Sequence, residues 1–253
     1  MNVLTSDLLS GIDFVAHGFF DRTDGESSET YESLNVGIAR GDDEEKVINN
    51  RKKIAEYFET SVESLVILNQ KHSDTVHIIN ADNKAAYLFG GVAEALKNEG
   101  DALITKEPGV LIGVNTADCA PILLCDKGAG YVAAIHAGWR GSNGQIIENT
   151  IAEMKSLGCK TIVASIGPCL QRIHFEIKDD IDFQIDRKYV SYDEGRTLFD
   201  MQLQILEKLM KNGVKTVSKM NVDTYSNTNY FSKRRIGEKT GVQFSGIMIK
   251  EKK

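Results

Sequence analysis

Proline is scarce in this chain: three residues (Pro108, Pro121, Pro168) among 253. No Pro- or Ser-rich linker, low-complexity tract or internal repeat divides it, so residues 1–253 are expected to form one domain. Cysteine is also sparse. Cys119, Cys125, Cys159 and Cys169 are too few for a disulfide scaffold, and no two are spaced Cys-x-x-Cys. They read as reduced thiols of a cytoplasmic protein. No apolar run approaches the roughly 20 residues that span a bilayer, and the opening MNVLTSDLLSGIDF lacks the basic stretch and apolar core of a secretory signal. Basic charge is not in excess either. Thirty Lys+Arg face 36 Asp+Glu, a formal net charge of −6, which argues against a general nucleic-acid or membrane-surface binder. With no Walker loop and no G-x-G-x-x-G after a strand, bound ATP or NAD has no support.

What is present is a mixture of two hydrophobic periods. Helical spacing over 42–58 places Val47, Ile54 and Phe58 on one face, with acidic residues in the first turn. A second helix over 145–157 aligns Ile147, Ile151 and Met154 and stops at Gly158. A third over 195–211 aligns Leu198, Met201, Ile205 and Leu209 and stops at Gly213. Strands are expected at 65–70, 75–79, 109–115, 121–125, 131–135 and 161–166, with short ones in 214–222 and 243–249. Residues 126–130, Asp-Lys-Gly-Ala-Gly, read as the turn of a hairpin. Residues 11–40 suggest strands joined by long loops. The mixture, with antiparallel hairpins among strands and helices, points to an α/β (α+β mixed) fold in layers and not a Rossmann fold.

Three polar segments lie at expected strand ends: Asn69-Gln-Lys-His-Ser73, Thr116-Ala-Asp-Cys-Ala-Pro121 and His136-Ala-Gly-Trp-Arg-Gly141. Loops on a rigid scaffold are where reactive groups are held. His72, Cys119 and His136 offer two imidazoles and a thiolate, a donor set that suits Zn²⁺ and leaves a fourth position open. Water at such a position ionises near pH 7. The same atoms also suit a cysteine nucleophile with a histidine base, or three unrelated packing residues. Spacing alone leaves these open. Cys125 and Cys159 read as packing residues, and Cys169 as a neighbour of the site at most. His17 and His174 read as structural or surface histidines, while His77, five residues from His72, points away from it. Arg22, Arg51, Arg140, Arg234 and Arg235 are candidates for holding an anion, although Lys233-Arg-Arg235 alone reads as a solvated face.

Taken together, the segments resemble the YfiH-type laccase-domain family, also called polyphenol oxidase-like proteins. The matching stretches are His17-Gly-Phe19, Ser33-Leu-Asn35, Asn50-Arg51, Asn69-Gln-x-His-Ser73, Asp101-Ala-Leu-Ile-Thr105, Thr116–Leu124, Ala134–Gly141, Ile166-Gly-Pro-Cys169 and Phe231-Ser-x-Arg-Arg235. The resemblance implies a single-domain layered α/β/β/α sandwich with mixed sheets, and zinc ligation by His72, Cys119 and His136. It also implies purine nucleoside chemistry: phosphorolysis of adenosine, inosine and methylthioadenosine, and deamination of adenosine. A peptidoglycan-editing branch makes hydrolysis of a cell-wall precursor the alternative, beside a metal-free hydrolase using Cys119. Asp118 is the candidate for proton transfer. Arg140, Arg51, Gln70 and Asn35 are candidates for substrate or phosphate binding, and Phe19 and Trp139 for walls of the purine pocket. The expected partners are a nucleoside and phosphate, with no nucleic acid and no membrane. A homodimer is left open.

Two departures from the family pattern are expected to alter the pocket wall. Asp223-Thr224 replaces a frequent Cys-Thr, and Asp21-Arg-Thr-Asp-Gly25 replaces Thr-Arg-x-Gly-Gly. The laccase name itself fails a count. A multicopper oxidase joins a two-His, one-Cys copper site to a His-rich cluster, and five histidines with no His-x-His pair cannot fill both. One zinc ion is expected, and any copper is adventitious.

Overall fold

Ile122 and Leu124 face one side of their strand, Leu123 and Cys125 face the other, and all four are fully buried. A strand apolar on both faces needs a layer above and a layer below. The computed structural model, which describes residues 1–38, 40–178 and 184–251, supplies both. Fourteen strands are described: β1 Val3–Leu4, β2 Val15–Phe20, β3 Leu65–Val66, β4 Val76–Ile79, β5 Ala102–Thr105, β6 Leu111–Thr116, β7 Ala120–Asp126, β8 Tyr131–Ala137, β9 Ile162–Ile166, β10 Glu176–Ile177, β11 Val190–Asp193, β12 Arg196–Phe199, β13 Thr216–Lys219 and β14 Gln243–Ile249. They form a five-stranded sheet, β1-β2-β14-β6-β3, a six-stranded sheet, β13-β9-β7-β8-β5-β4, and a small sheet, β10-β12-β11. The two large sheets each mix parallel and antiparallel pairs.

Phe19, Ile112, Val114 and Ile247 of the first large sheet meet Leu103, Leu123, Val132 and Val163 of the second in one apolar layer. Outside the first sheet, Ile54 and Phe58 cover Phe20, Leu111 and Phe244. Outside the second, Ile147, Ile151, Met154, Ile205 and Leu209 cover Ile122, Leu124 and Ile135. This is the expected α/β/β/α layering with mixed sheets. No described helix is long and apolar enough to cross a membrane.

Local signals place the elements. The helix Glu44–Tyr57 begins at Asp43, whose carboxylate accepts the Glu45 and Lys46 amides. The helix Ile146–Ser156 ends before Gly158, at φ +92°. The hairpin β7–β8 is pinned where Asp126 accepts the Ala129 amide at 2.7 Å.

Two expectations are corrected. The helix expected over 195–211 starts only at Met201, capped by Asp200, and Arg196–Phe199 is strand β12. Glu194 and Gly195 both take positive φ, +47° and +78°, so they close a two-residue hairpin from β11 to β12. Leu198 is buried as expected, but from a strand. The strand expected over 65–70 ends at Val66. Beyond it the Gln70 side chain bonds Asn115, donating to its carbonyl at 2.8 Å and accepting its amide at 2.7 Å. A side chain there does the work of a backbone ladder.

Candidate metal centre

The register puts every site segment at one end of the strands of the six-stranded sheet. Pro121 pairs with His136, Ala102 with Ile135, and Val76 with Ala102. The start of β7, the end of β8 and the starts of β5 and β4 therefore converge. His136 is on β8 itself, Cys119 immediately precedes β7, and His72 is in the loop before β4.

The ligand atoms of His72, Cys119 and His136 lie within 4.8 Å of one another. The two imidazole rings are 4.8 Å apart, nearly edge to face. A Cβ at Gly138 would stand 2.7 Å from His72 Nδ1 and 2.8 Å from Cys119 Sγ, so only glycine leaves this space free. His72 and Asp118 both hold left-handed backbone, φ +58° and +85°. Such residues persist where surrounding structure over-determines them.

Asp101 over-determines His72. Its carboxylate accepts the backbone amides of Lys71 (3.2 Å), His72 (3.1 Å) and Ser73 (2.6 Å), and the Ser73 hydroxyl at 2.7 Å. The same carboxylate accepts a hydrogen bond from His136 Nδ1–H at 2.7 Å. That bond fixes the tautomer and leaves Nε2 free to ligate. Burial alone would raise the Asp101 pKa, but the His136 and Ser73 bonds hold it well below the ordinary carboxylate range. Burial depresses the His136 pKa, yet Cys119 and Asp101 outweigh it and push it up to about 9, so zinc would bind Nε2 in exchange for a proton. His72, the most open of the three, is pushed down to about 4 by desolvation and then by the facing His136. Two nitrogens and a sulfur around one point, with a carboxylate behind one imidazole, fit a zinc ion.

The cluster opens into a cavity of about 690 Å³, whose walls include Trp139, Phe175, Leu170 and Met201. Arg140 lines it too, its guanidinium stacked on Trp139 at 4.3 Å. Gln70 and Asp118 also line it. The Asp118 oxygens accept the Thr224 hydroxyl at 2.7 Å and the Arg234 amide at 2.6 Å.

Other expected site residues are placed elsewhere. Asn35 is fully buried; it donates to Asp42 and accepts the Gly37 and Val242 amides, which makes it a loop clamp. Arg51 is buried outside the main cavity and lines a smaller neighbouring hollow. Phe19 is fully buried between the sheets and is no pocket wall. Cys169 is fully buried, and burial pushes the thiols of Cys125 and Cys159 up to about 12 and about 11. Arg235 is not a solvated surface residue, because its guanidinium donates to the carbonyls of Thr224, Tyr225 and Tyr230.

Neither sequence departure is in the described cavity wall. Asp24 takes φ +63°, the backbone a glycine would supply, and pairs with the Met1 amine. Asp223 bonds His174 and accepts the Gln171 and Tyr225 amides. Asp101, Arg40, Asn115 and Phe175 are site residues that sequence reasoning missed. For Asp101, the acid directly before an apolar strand in a matched segment was the available signal.

A layered mixed-sheet α/β protein with an open His/Cys/His centre at the strand ends of one sheet is the class this geometry defines. Within it the chain belongs to the family described as multi-copper polyphenol oxidoreductase laccase, whose model matches residues 16–250. A purine nucleoside phosphorylase of Bacteroides thetaiotaomicron is 34% identical, covering 98% of this chain and 96% of that protein. An adenosine deaminase from an unknown prokaryotic organism is 32% identical, covering 87% of this chain and 88% of its own. The crystal structure of the hypothetical protein YfiH from Bacillus licheniformis matches with a TM-score of 0.86 at 28% identity, covering 93% of each chain.

A multicopper cluster does not fit the described residues. The histidines left after His72 and His136 are dispersed. His17 accepts the Ser6 amide, His77 bonds Tyr87 and the Glu99 carbonyl, and His174 bonds Asp223. His72, Cys119 and His136 form the one metal-capable cluster among the described residues.

Proposed function

We propose that this chain is a zinc-dependent purine nucleoside enzyme that phosphorolyses adenosine, inosine and methylthioadenosine and deaminates adenosine. The observation that carries the reading is the opening of the His72, Cys119 and His136 cluster into a cavity of about 690 Å³, within the range of small-molecule sites. The relatives' names agree with it. Bound at these three side chains, zinc supplies Lewis acidity at the cavity wall.

The chain's own groups do the rest. Asp101 orients His136 and shapes the loop that presents His72. Trp139 and Phe175 offer faces for a purine ring. Arg140 puts a cation beside them for an anionic group. Asp118 fixes the Cys119 loop through Thr224 and Arg234, and proton donation to a departing ammonia would compete with those two bonds.

One observation favours a second reading. Asp101, His136 and Cys119 are linked as orienter, base and nucleophile. It leaves unexplained why His72 turns a neutral imidazole to the same point.

The test is chromatography of adenosine incubated with metal-assayed protein, with and without phosphate, beside Cys119→Ala. Phosphate-dependent adenine or phosphate-independent inosine, lost together with zinc in the variant, is expected. Turnover in metal-free buffer that a thiol alkylator abolishes would establish the nucleophile instead. No nucleoside turnover from protein carrying one zinc would overturn the substrate assignment and direct the search to cell-wall precursors.

A further inference from the structure

Beside the main cavity is a second hollow of about 90 Å³. Arg40, Gln70 and Asn115 line both, so the two are neighbours. Arg51, Asn69 and Gly37 complete the polar part of the smaller one, and no Asp or Glu is in its described lining.

Arg51 is the unusual member. It is only 3% exposed. Its Nε donates to the Val36 carbonyl at 2.9 Å, and its guanidinium lies over the Phe89 ring at 5.2 Å. Among the described residues no acceptor meets its two terminal nitrogens and no carboxylate pairs with it. Burial pushes its pKa down to about 9. A buried cation is costly unless paired, and holding Val36 uses one of five guanidinium N–H groups. Arg40 adds a second cation at the junction of the two hollows, with no hydrogen bond to its guanidinium among the described residues.

Planar guanidinium forks match the oxygens of a tetrahedral oxyanion. We infer that the small hollow binds free inorganic phosphate between Arg51 and Arg40, delivering it to a nucleoside in the main cavity. Its role as a reactant rests on the phosphorolysis proposed above. In that reaction a phosphate oxygen bonds to ribose C1′ as the C1′–N9 bond breaks. The bonding pair leaves with the purine, and the proton of hydrogen phosphate ends on the base. About 90 Å³ suits an ion of phosphate size, and a nucleoside monophosphate reaching in from the main cavity is the competing occupant that the titration distinguishes.

The test is calorimetric titration of the zinc-containing protein with inorganic phosphate, together with separate KM values for phosphate and adenosine. Arg51→Met and Arg40→Met are each expected to weaken phosphate binding about tenfold or more, and Arg51→Met, which is outside the main cavity, to raise the phosphate KM with little change in the adenosine KM. Arg51→Lys should recover part of the loss. Arg40→Met keeps the test open should Arg51→Met fail to fold. Phosphate affinity unchanged in a folded variant of either arginine overturns the inference. Arg51-dependent binding of a nucleoside 5′-monophosphate more tightly than phosphate would overturn the choice of the free ion. Arg51-dependent phosphate binding without nucleoside cleavage would establish the anion site and sink phosphorolysis.

Discussion

Asp101 Oδ1 accepts a hydrogen bond from His136 Nδ1–H at 2.7 Å across 35 residues of sequence. The same carboxylate gathers the backbone amides of Lys71, His72 and Ser73. One acid thus aims the imidazole of one metal-capable histidine and sets the backbone of the other. Its place directly before β5 lets it reach both, because β5 runs between β4 and β8.

Asp101→Asn keeps the side chain's shape but exchanges a charged acceptor for an amide. Zinc affinity is expected to fall about 10–100-fold, measured by competition with a chelator of known affinity. An unchanged affinity would show that the carboxylate behind His136 does not set its basicity or orientation.

Gly138→Ala isolates the space inside the cluster. The backbone there, φ −79°, suits any residue, so the substitution adds no left-handed strain. The new methyl carbon would meet His72 Nδ1 at 2.7 Å and Cys119 Sγ at 2.8 Å. Zinc affinity should drop about tenfold or more while the apo protein's melting temperature changes little. A large melting loss with zinc affinity intact would place the glycine's role in packing.

The metal-capable residues were legible because His72, Cys119 and His136 sit in short polar segments at strand ends, and matched family motifs singled them out. Asp101 was not, since its function exists only where the ends of β4, β5 and β8 come together. Arg51 and Arg140 read alike in sequence, but the fold buries the first under Phe89 and stacks the second on Trp139. The helix over 195–211 was overextended because Leu198 fits the helical stripe. Its buried side chain answers to a strand, and the turn-forming Glu194-Gly195 and the cap at Asp200 were the better guides.

Arg235 holds the segment after Asp223 by donating to three carbonyls, those of Thr224, Tyr225 and Tyr230. Arg235→Met leaves all three without that donor and should cost about 2–3 kcal/mol of stability in urea denaturation. Arg235→Lys should recover part of it. A loss within about 0.5 kcal/mol would mean that water replaces the guanidinium freely.

His17 gives the fold a dependence on acid that is separate from the metal centre. Its Nε2 accepts the Ser6 amide at 2.8 Å, so the ring must be neutral on that nitrogen. Burial pushes its pKa down from 6.5 to about 4. As pH falls, the unfolded chain takes up this proton first, so stability contributed by neutral His17 is full above about pH 6.5 and is lost progressively toward pH 4. Between pH 7 and 4.5 the loss from this residue should be about 2 kcal/mol. His17→Gln offers an acceptor that does not titrate. Denaturation curves of both proteins at several pH values should therefore diverge by about that amount, with the wild type losing more on acidification. Because both keep the same metal ligands, zinc release in acid affects them alike. Parallel pH profiles would mean that the imidazole, once protonated, finds another partner in the fold.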